Sequence, residues 1–271
     1  MTRLYQEPPL GGDVAYDGTF DGLLSVVARA EQAGRIPLSV VRPGGAAQGG
    51  LFSTPAAVET DARVAADLEE RIARRGEGGA LRLLYRVVLS EQPGADRTAV
   101  RLALALLSHG RDVLEDVGFE PAFEGLRLSR MVSREVHRMH AFVRFGDLET
   151  PQTRADAERT YVSFVEPECD VLPLIGAHFK RRFPAMRWAI LDARRHYGIV
   201  WNGERLSIQD DFPGAVWKQA SRAQPSQSEQ LWRAYFRSVD IPERRNPDLQ
   251  RRHMPKRYWR YLPETTEIRG R

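Results

Sequence analysis

The chain has 271 residues, of which 42% are apolar and 28% are charged, a composition typical of a folded globular protein and unlike that of a disordered chain. Its single cysteine, Cys169, excludes an internal disulfide and, by itself, a zinc or iron–sulfur site made of cysteines, so a reducing cytoplasm is the expected location. The net charge is +4, and residues 218–271 carry 13 basic and 6 acidic side chains, so the whole positive surplus lies in the last fifth of the chain.

The first forty residues predict a strand, a helix and a second strand. Thr19 follows a Tyr-Asp-Gly turn and is a suitable N-cap for a helix that should end at Gly34. The second strand is predicted from Ile36 to Val41, and a glycine-rich loop follows over 43–50.

Four helices are predicted between residues 64 and 140. Apolar residues recur at intervals of three and four, and breaks are expected near Gly76, Pro93 and Gly110. The fourth helix, from Phe123 to His140, should have a basic face that consists of Arg127, Arg130, Arg134, His137 and Arg138.

Strands are predicted to follow this helical segment. Apolar and other residues alternate from Ala141 to Phe145, and Asn202-Gly203 is a strong hairpin signal. Asp170 is expected to cap a helix over 171–182. The other predicted strands are 161–165, 187–191, 198–201 and 205–209. Residues 141–209 should therefore form one connected sheet with that helix packed on a face.

These elements predict an α+β fold: a mixed or antiparallel sheet with packed helices, a helical segment in the middle and a basic C-terminal helical arm. The expected organisation is a strand–helix–strand and helical segment over 1–140, the sheet over 141–209, a linker over 210–227 and the arm over 228–271, all within one compact unit. Ser228 should begin a helix in the arm, and Pro242, Pro247 and Pro255 should divide the rest into short helical turns.

Several stretches resemble a bacterial family known only as probable DNA metabolism proteins. They include Tyr16-Asp17-Gly18-Thr19-Phe20-Asp21-Gly22, Glu135-Val136-His137-Arg138-Met139, Asp170-Val171-Leu172-Pro173-Leu174 and the tail from Arg244 to Trp259. Such proteins are encoded beside a radical-SAM protein similar to spore photoproduct lyase, and in some bacteria they are fused to a uracil-DNA-glycosylase-type domain. The resemblance therefore implies a role in DNA repair or modification with a radical-SAM partner. It supplies no catalytic residues, and we expect no glycosylase domain within the 271 residues.

The basic arm is the strongest candidate for a binding site. Cationic side chains neutralise phosphates, and interleaved aromatic rings stack on unpaired bases, so the pattern favours single-stranded or locally opened DNA. The candidate contacts are Arg233, Arg237, Arg244, Arg245, Arg251, Arg252, Lys256, Arg257, Tyr258, Trp259 and Arg260, joined by Arg134 and Arg138 of the fourth helix. The structural alternative is that the rings dock the arm on the core and that arginines of the fourth helix are solvated or pair with glutamates such as Glu124 and Glu135.

Clusters that suggest metal chemistry have structural explanations too. His137 and His140 are three residues apart, but no third zinc ligand is near them in the sequence. Glu166, Glu168 and Asp170 are residue types that a two-metal nuclease uses, although Asp170 is expected to cap a helix. We therefore expect no metal ion and no organic cofactor.

Three functions are compatible with these patterns. The leading prediction is a DNA-binding accessory protein of a repair or modification system, with no membrane attachment. The second is an enzyme, a lyase or hydrolase acting on DNA, for which His137, His178 and His253 are the first candidates, although His178 is expected to be a hydrogen-bonded, partly buried structural histidine. The third is a protein-interaction scaffold. An enzyme should gather histidines and carboxylates in a pocket, whereas a binding module should present a broad positive face.

Overall fold

The computed structural model describes residues 11–43, 54–116, 118–147, 160–219, 247–262 and 265, and it confirms the α+β class. The chain divides into two units, 1–134 and 135–271, and the division falls inside a helix. Across the described ranges, no helix combines the length and apolar character that crossing a membrane requires.

The first unit begins with a small parallel sheet and a helix. The order of the strands is β2-β1-β3. The bounds are Val14–Ala15 for β1, Phe20–Ala33 for α1, Val40–Val41 for β2 and Ala56–Ala57 for β3. Thr19 Oγ accepts the backbone N–H of Gly22 at 2.9 Å, and Gly34 ends the helix with a φ of 58°, so the predicted start and end are confirmed. The strand predicted over 36–41 is regular only at Val40–Val41, although Ile36 and Leu38, on either side of Pro37, still form backbone hydrogen bonds with Gly11 and Gly12.

The next three helices form where the apolar spacing predicted them. They are α2 (Ala62–Gly76), α3 (Ala80–Leu89) and α4 (Ala95–His109). A 3-10 turn follows α2 at Glu77–Gly79, and another follows α4 at Gly110–Leu114. Helix α4 packs against α1, α2 and α3. Its residues Leu102, Ala103 and Leu106 are fully buried, so α4 is the centre of the apolar core of this unit.

The fourth predicted helix, α5, runs from Glu120 to Phe142. The strand predicted over 141–145 is therefore wrong: Ala141 and Phe142 continue the helix, and strand β4 is confined to Gly146–Asp147. The buried positions Val132 and Met139 show why, because the helical spacing extends to Val143, whose N–H donates to the carbonyl oxygen of Met139 at 3.1 Å.

The second unit contains the predicted connected sheet, in the order β4-β5-β6-β7-β8. Strands β5 and β6 are parallel and the other neighbours are antiparallel. The bounds are Thr160–Val165 for β5, Leu172–Arg182 for α6, Arg187–Asp192 for β6, Tyr197–Trp201 for β7 and Leu206–Gln209 for β8. Helix α6 packs on the sheet as expected, and it packs closely at Gly176, where a Cβ would lie 2.8 Å from Leu206 Cδ2 and the leucine side chain would have to shift.

Two turns of this unit test the sequence signals directly. Asn202 Oδ1 accepts the backbone N–H groups of Glu204 and Arg205, at 2.9 and 2.7 Å, and Gly203 has a φ of 97°, which confirms the hairpin. The predicted cap by Asp170 is wrong, because its carboxylate accepts the hydroxyl of Tyr197 and α6 begins without a side-chain cap.

The chain after the sheet is helical where it is described. Helix α7, Gly214–Gln219, lies inside the segment predicted as a linker, and residues 220–227 and the helix predicted from Ser228 lie outside the described residues. The arm forms α8, Pro247–His253, and a 3-10 helix, Lys256–Tyr261, which confirms the predicted short helical turns in this part.

Candidate nucleic-acid interface

The structure describes eight of the thirteen predicted DNA-contact side chains. Arg233, Arg237, Arg244 and Arg245 lie outside the described residues, and so does the side chain of Arg251. The described ones are Arg134 and Arg138 in α5 and Arg252, Lys256, Arg257, Tyr258, Trp259 and Arg260 in the arm.

A buried carboxylate, that of Glu135 in α5, anchors the arm. Glu135 is 1% exposed, and both of its carboxylate oxygens lie 2.6 Å from the hydroxyl of Tyr258, which donates to them. The backbone N–H of Glu168 donates to Glu135 Oε1 at 2.8 Å. Because a buried charge needs close donors, these bonds hold the arm against α5. Burial and the neighbouring Glu135 raise the pKa of the Tyr258 hydroxyl, which therefore keeps its proton.

Two of the predicted cations meet at the same carboxylate. Arg138 Nη1 donates to Glu135 Oε2 at 3.2 Å, and Arg257 Nη2 lies 3.6 Å from that oxygen. Arg257 Nη2 also lies 2.8 Å from Glu168 Oε2. Arg138 of α5 and Arg257 of the arm are thus neighbours within the second unit.

The aromatic rings of Tyr258 and Trp259 are turned into the protein. Tyr258 is 3% and Trp259 is 8% exposed. The Tyr258 ring packs on Phe142 with centroids 5.3 Å apart, and Trp259 Nε1 donates to the carbonyl oxygen of Met254 at 2.8 Å. For these two rings the structure favours the docking alternative over base stacking. DNA binding by the arm stays a prediction.

The cationic groups of the arm remain accessible. We call Arg252, Lys256, Arg257 and Arg260 the arm cations, and all four are exposed. Arg252 and Lys256 form no ion pair with the residues that the structure describes. Arg260 Nη1 lies 4.0 Å from Glu166 Oε2, so two of the arm cations lie beside glutamates.

The basic face of α5 is partly neutralised in the first unit. Arg127 donates to both carboxylate oxygens of Glu124, at 2.6 and 2.7 Å, as the structural alternative expects. Arg130 and Arg134 are exposed. Exposed ion pairs of this kind contribute little stability, so they do not prevent exchange with another anion.

The carboxylates of Asp170, after β5, and of Asp192, at the end of β6, are occupied by side-chain donors. Asp170 accepts the hydroxyl of Tyr197, whose pKa is raised by burial and by Asp170. Asp192 is fully buried and accepts Arg195 Nη1 at 2.6 Å. Among the described ranges, no group of three or more histidine, cysteine or carboxylate side chains could hold a metal ion.

The candidate histidines do not form an acid–base site with a carboxylate. His140 and His178 stack with centroids 3.9 Å apart and 15° between the ring planes. Both Nε2 atoms are buried and have no hydrogen-bond partner among the described residues, so the hydrogen bond expected for His178 is not found at this nitrogen. Burial lowers the pKa of both imidazoles, and nearby positive groups, among them Arg181, lower it further. His137 and His253 are exposed.

A cleft of about 280 Å³ lies in the first unit, beside β2 and the start of α4. Its polar wall is internally neutralised: Arg42 Nε donates to Asp96 Oδ2 at 2.6 Å, and Arg42 Nη2 donates to the carbonyl oxygen of Val88 at 2.7 Å. No histidine is among its lining residues. No sequence signal paired these side chains, because Arg42 and Asp96 are far apart in the chain.

The sequence did contain a signal for the anchor that the prediction missed. Glu135 lies at helical spacing from Leu128, Val132 and Met139, all of them buried, so it is a charged residue within an apolar face. A carboxylate in that position needs a buried donor, and the sequence does not show which residue supplies it.

Comparison with known proteins places the chain in a family. No curated protein matches it. A family model described as a domain of unknown function, DUF4130, matches residues 83–264, which is more than half of the chain and includes α5, the five-stranded sheet and residues 247–262 of the arm. The chain therefore belongs to the DUF4130 family.

Proposed function

We propose that this protein binds DNA as an accessory of a DNA repair or modification system, through its C-terminal arm and the end of α5. The observation that carries the proposal is the meeting of Arg138 and Arg257 at Glu135. This contact gives the arm a defined position and leaves the arm cations on the surface beside α5. A fixed group of cations binds a phosphate backbone with less loss of side-chain freedom than a loose tail does.

The binding would depend mainly on phosphates. Arg252 and Lys256 have no described ion pair, so they are free to contact a phosphate directly. Arg257 and Arg260 would exchange Glu168 and Glu166 for phosphate oxygens. A preference for single-stranded or locally opened DNA would rest on Trp232, Tyr235 and Phe236, which lie outside the described residues.

The test is the double variant Arg252→Gln/Lys256→Gln in fluorescence anisotropy against salt concentration. Each phosphate contact on single strands contributes a log–log slope of about −0.7, a factor of about 5 in affinity near 0.1 M salt. The double variant should therefore bind roughly 25-fold more weakly on every sequence, with a slope flattened by about 1.4.

The matched control is Arg35→Gln/Arg63→Gln, which removes two exposed cations from the first unit. It should retain most of the affinity of the parent, because only general attraction is reduced. Equal binding by the parent and the arm variant would rule out the arm as the DNA site.

The proposal includes a radical-SAM protein as partner, because the resemblance implies such a neighbour. In this arrangement the arm holds DNA and the partner acts on it. Co-purification with the native partner, followed by identification of the bound nucleic acid, tests this step. Recovery of the partner without nucleic acid, even at low salt, would favour the scaffold function instead.

A further inference from the structure

Two of the arm cations, Arg257 and Arg260, lie on one side of the 3-10 helix Lys256–Tyr261. A 3-10 helix has about 3.0 residues per turn and rises about 2.0 Å per residue, so residues three apart are eclipsed and about 6 Å from each other along the axis. The helix therefore presents the two guanidinium groups in a row on the same face.

Two glutamates of the loop between β5 and α6 face this row. Arg257 Nη2 lies 2.8 Å from Glu168 Oε2. Arg260 Nη1 lies 4.0 Å from Glu166 Oε2. Because Pro167 restricts the residue before it to extended backbone, the two glutamates are separated by about 6–7 Å along the chain. The loop thus sets two negative charges against two positive charges at matching intervals.

The backbone of this loop is held without the two carboxylates. The N–H of Glu168 donates to Glu135 Oε1 at 2.8 Å. Arg195 Nη1 donates to the carbonyl oxygen of Pro167 at 3.1 Å, and Arg195 Nη2 donates to that of Glu168 at 3.2 Å. The loop should therefore keep its position when the charges of Glu166 and Glu168 are removed.

The two ion pairs are exchangeable, whereas the position of Arg257 is not set by them alone. The four side chains of these pairs are 42–52% exposed, and exposed ion pairs contribute little stability. Arg257 Nη2 also lies 3.6 Å from Glu135 Oε2, which belongs to a buried residue. Arg257 would thus keep its place through Glu135 while another anion replaces Glu168.

We propose that Arg257 and Arg260 form a site for two consecutive phosphates of one DNA strand, and that Glu168 and Glu166 occupy this site as competitors in the free protein. Neighbouring phosphates of one strand are separated by a distance similar to that between the two glutamates. The inference rests on the proposed DNA binding, and it adds that this part of the arm is autoinhibited, since DNA must displace both carboxylates.

The direct test is Glu166→Gln/Glu168→Gln in fluorescence anisotropy with a labelled single-stranded DNA at several salt concentrations. Glutamine keeps the size of each side chain and an oxygen that can accept the hydroxyl of Tyr261, which donates to Glu166 Oε2 at 3.2 Å. If each carboxylate offsets one phosphate contact, the variant should bind about 5- to 25-fold more tightly near 0.1 M salt, with a log–log slope that is steeper by up to about 1.4.

The matched control is Glu204→Gln/Asp210→Asn. It removes the same negative charge from two exposed carboxylates of the second unit, one in the turn before β8 and one after that strand. Its affinity should rise far less than that of the glutamate variant, because only general attraction is increased.

Arg260→Gln measures the competition at one of the two positions. In the parent, Glu166 offsets the charge of Arg260, so this substitution should change the affinity little. In a Glu166→Gln protein, the same substitution should weaken binding about 5-fold, because it then removes a full phosphate contact. Arg260 is not a partner of Glu135 in the structure, so the arm should stay anchored in both proteins.

A glutamate variant that binds no more tightly than its matched control would overturn the proposal. An equal loss from Arg260→Gln in both backgrounds would overturn it too. Failure of the proposed DNA binding is a different result, namely parent-like affinity of Arg252→Gln/Lys256→Gln. If neither the parent nor the glutamate variant bound DNA, both proposals would be wrong.

Discussion

The two units of this protein treat buried polar groups differently. The core of the first unit is a continuous apolar cluster from α1 to α4, and its most buried carboxylate in the described part, Asp96, is still 8% exposed. The second unit buries Glu135 and Asp192 almost completely and satisfies them with Tyr258 and Arg195. Both units have an apolar core, which in the second unit includes Trp188 and Ile190, but only the second unit also depends on donors for almost completely buried carboxylates.

The largest expected effect is a cavity in the first unit. Leu102 is fully buried in α4, so Leu102→Ala should lower the free energy of unfolding by about 2–5 kcal/mol. Urea denaturation followed by circular dichroism measures it. The exposed Leu38, changed to alanine as a control, should cost little. Equal costs at both positions would contradict a packing-dominated first unit.

The anchor of the arm is the corresponding test in the second unit. Tyr258→Phe keeps the ring but removes the donor to the Glu135 carboxylate, and should cost about 1.5–3 kcal/mol of unfolding free energy. Tyr261→Phe is the control, because its hydroxyl donates to the partly exposed Glu166 at 3.2 Å and should matter less. Proteolysis of the arm should become faster only in Tyr258→Phe.

The N-cap of α1 should contribute less than either. Thr19→Ala removes the oxygen that accepts the N–H of Gly22, at a cost of about 1 kcal/mol, and Thr19→Asn should restore most of it. Thermal denaturation of the three proteins provides the comparison. A Thr19→Asn protein as unstable as Thr19→Ala would show that the methyl group, and not the cap, is responsible.

The smallest expected effect is a pH dependence of the second unit. Burial lowers the pKa of His140 and His178 below the usual 6.5, so the unfolded chain binds more protons than the folded one as the pH falls through that value. Stability should therefore be complete above about pH 7 and decline below about pH 6.5. His178→Phe should reduce this decline, and the exposed His253→Gln should leave it unchanged. A pH profile of the midpoint in urea measures it.

The sequence predicted elements whose causes are local. Thr19, Gly34 and Asn202-Gly203 act within a few residues, and apolar spacing alone located α2 to α4. Local signals failed where a distant group competed for the same atoms. Asp170 has the residue type of a cap, but the hydroxyl of Tyr197 takes its carboxylate.

The candidate site was predictable in composition and not in arrangement. The charge surplus identified the arm, and helical spacing identified the basic face of α5. Neither pattern contains the contact of Tyr258 with Glu135, which joins residues from opposite halves of the chain. Tyr258 and Trp259, which the sequence suggested as stacking residues, are buried and support the arm from the inside. Their burial depends on tertiary packing, which composition does not show.

The anchor at Glu135 also determines how the arm can be truncated. A chain that ends before residue 255 would lose Tyr258 and Arg257 together. The Glu135 carboxylate would then lose the part of the arm that covers it and would keep fewer donors than its charge needs. If the arm binds DNA as we propose, truncation would thus reduce that binding and destabilise the second unit at the same time. The substitutions at Arg252 and Lys256, which leave the anchor in place, separate these two effects.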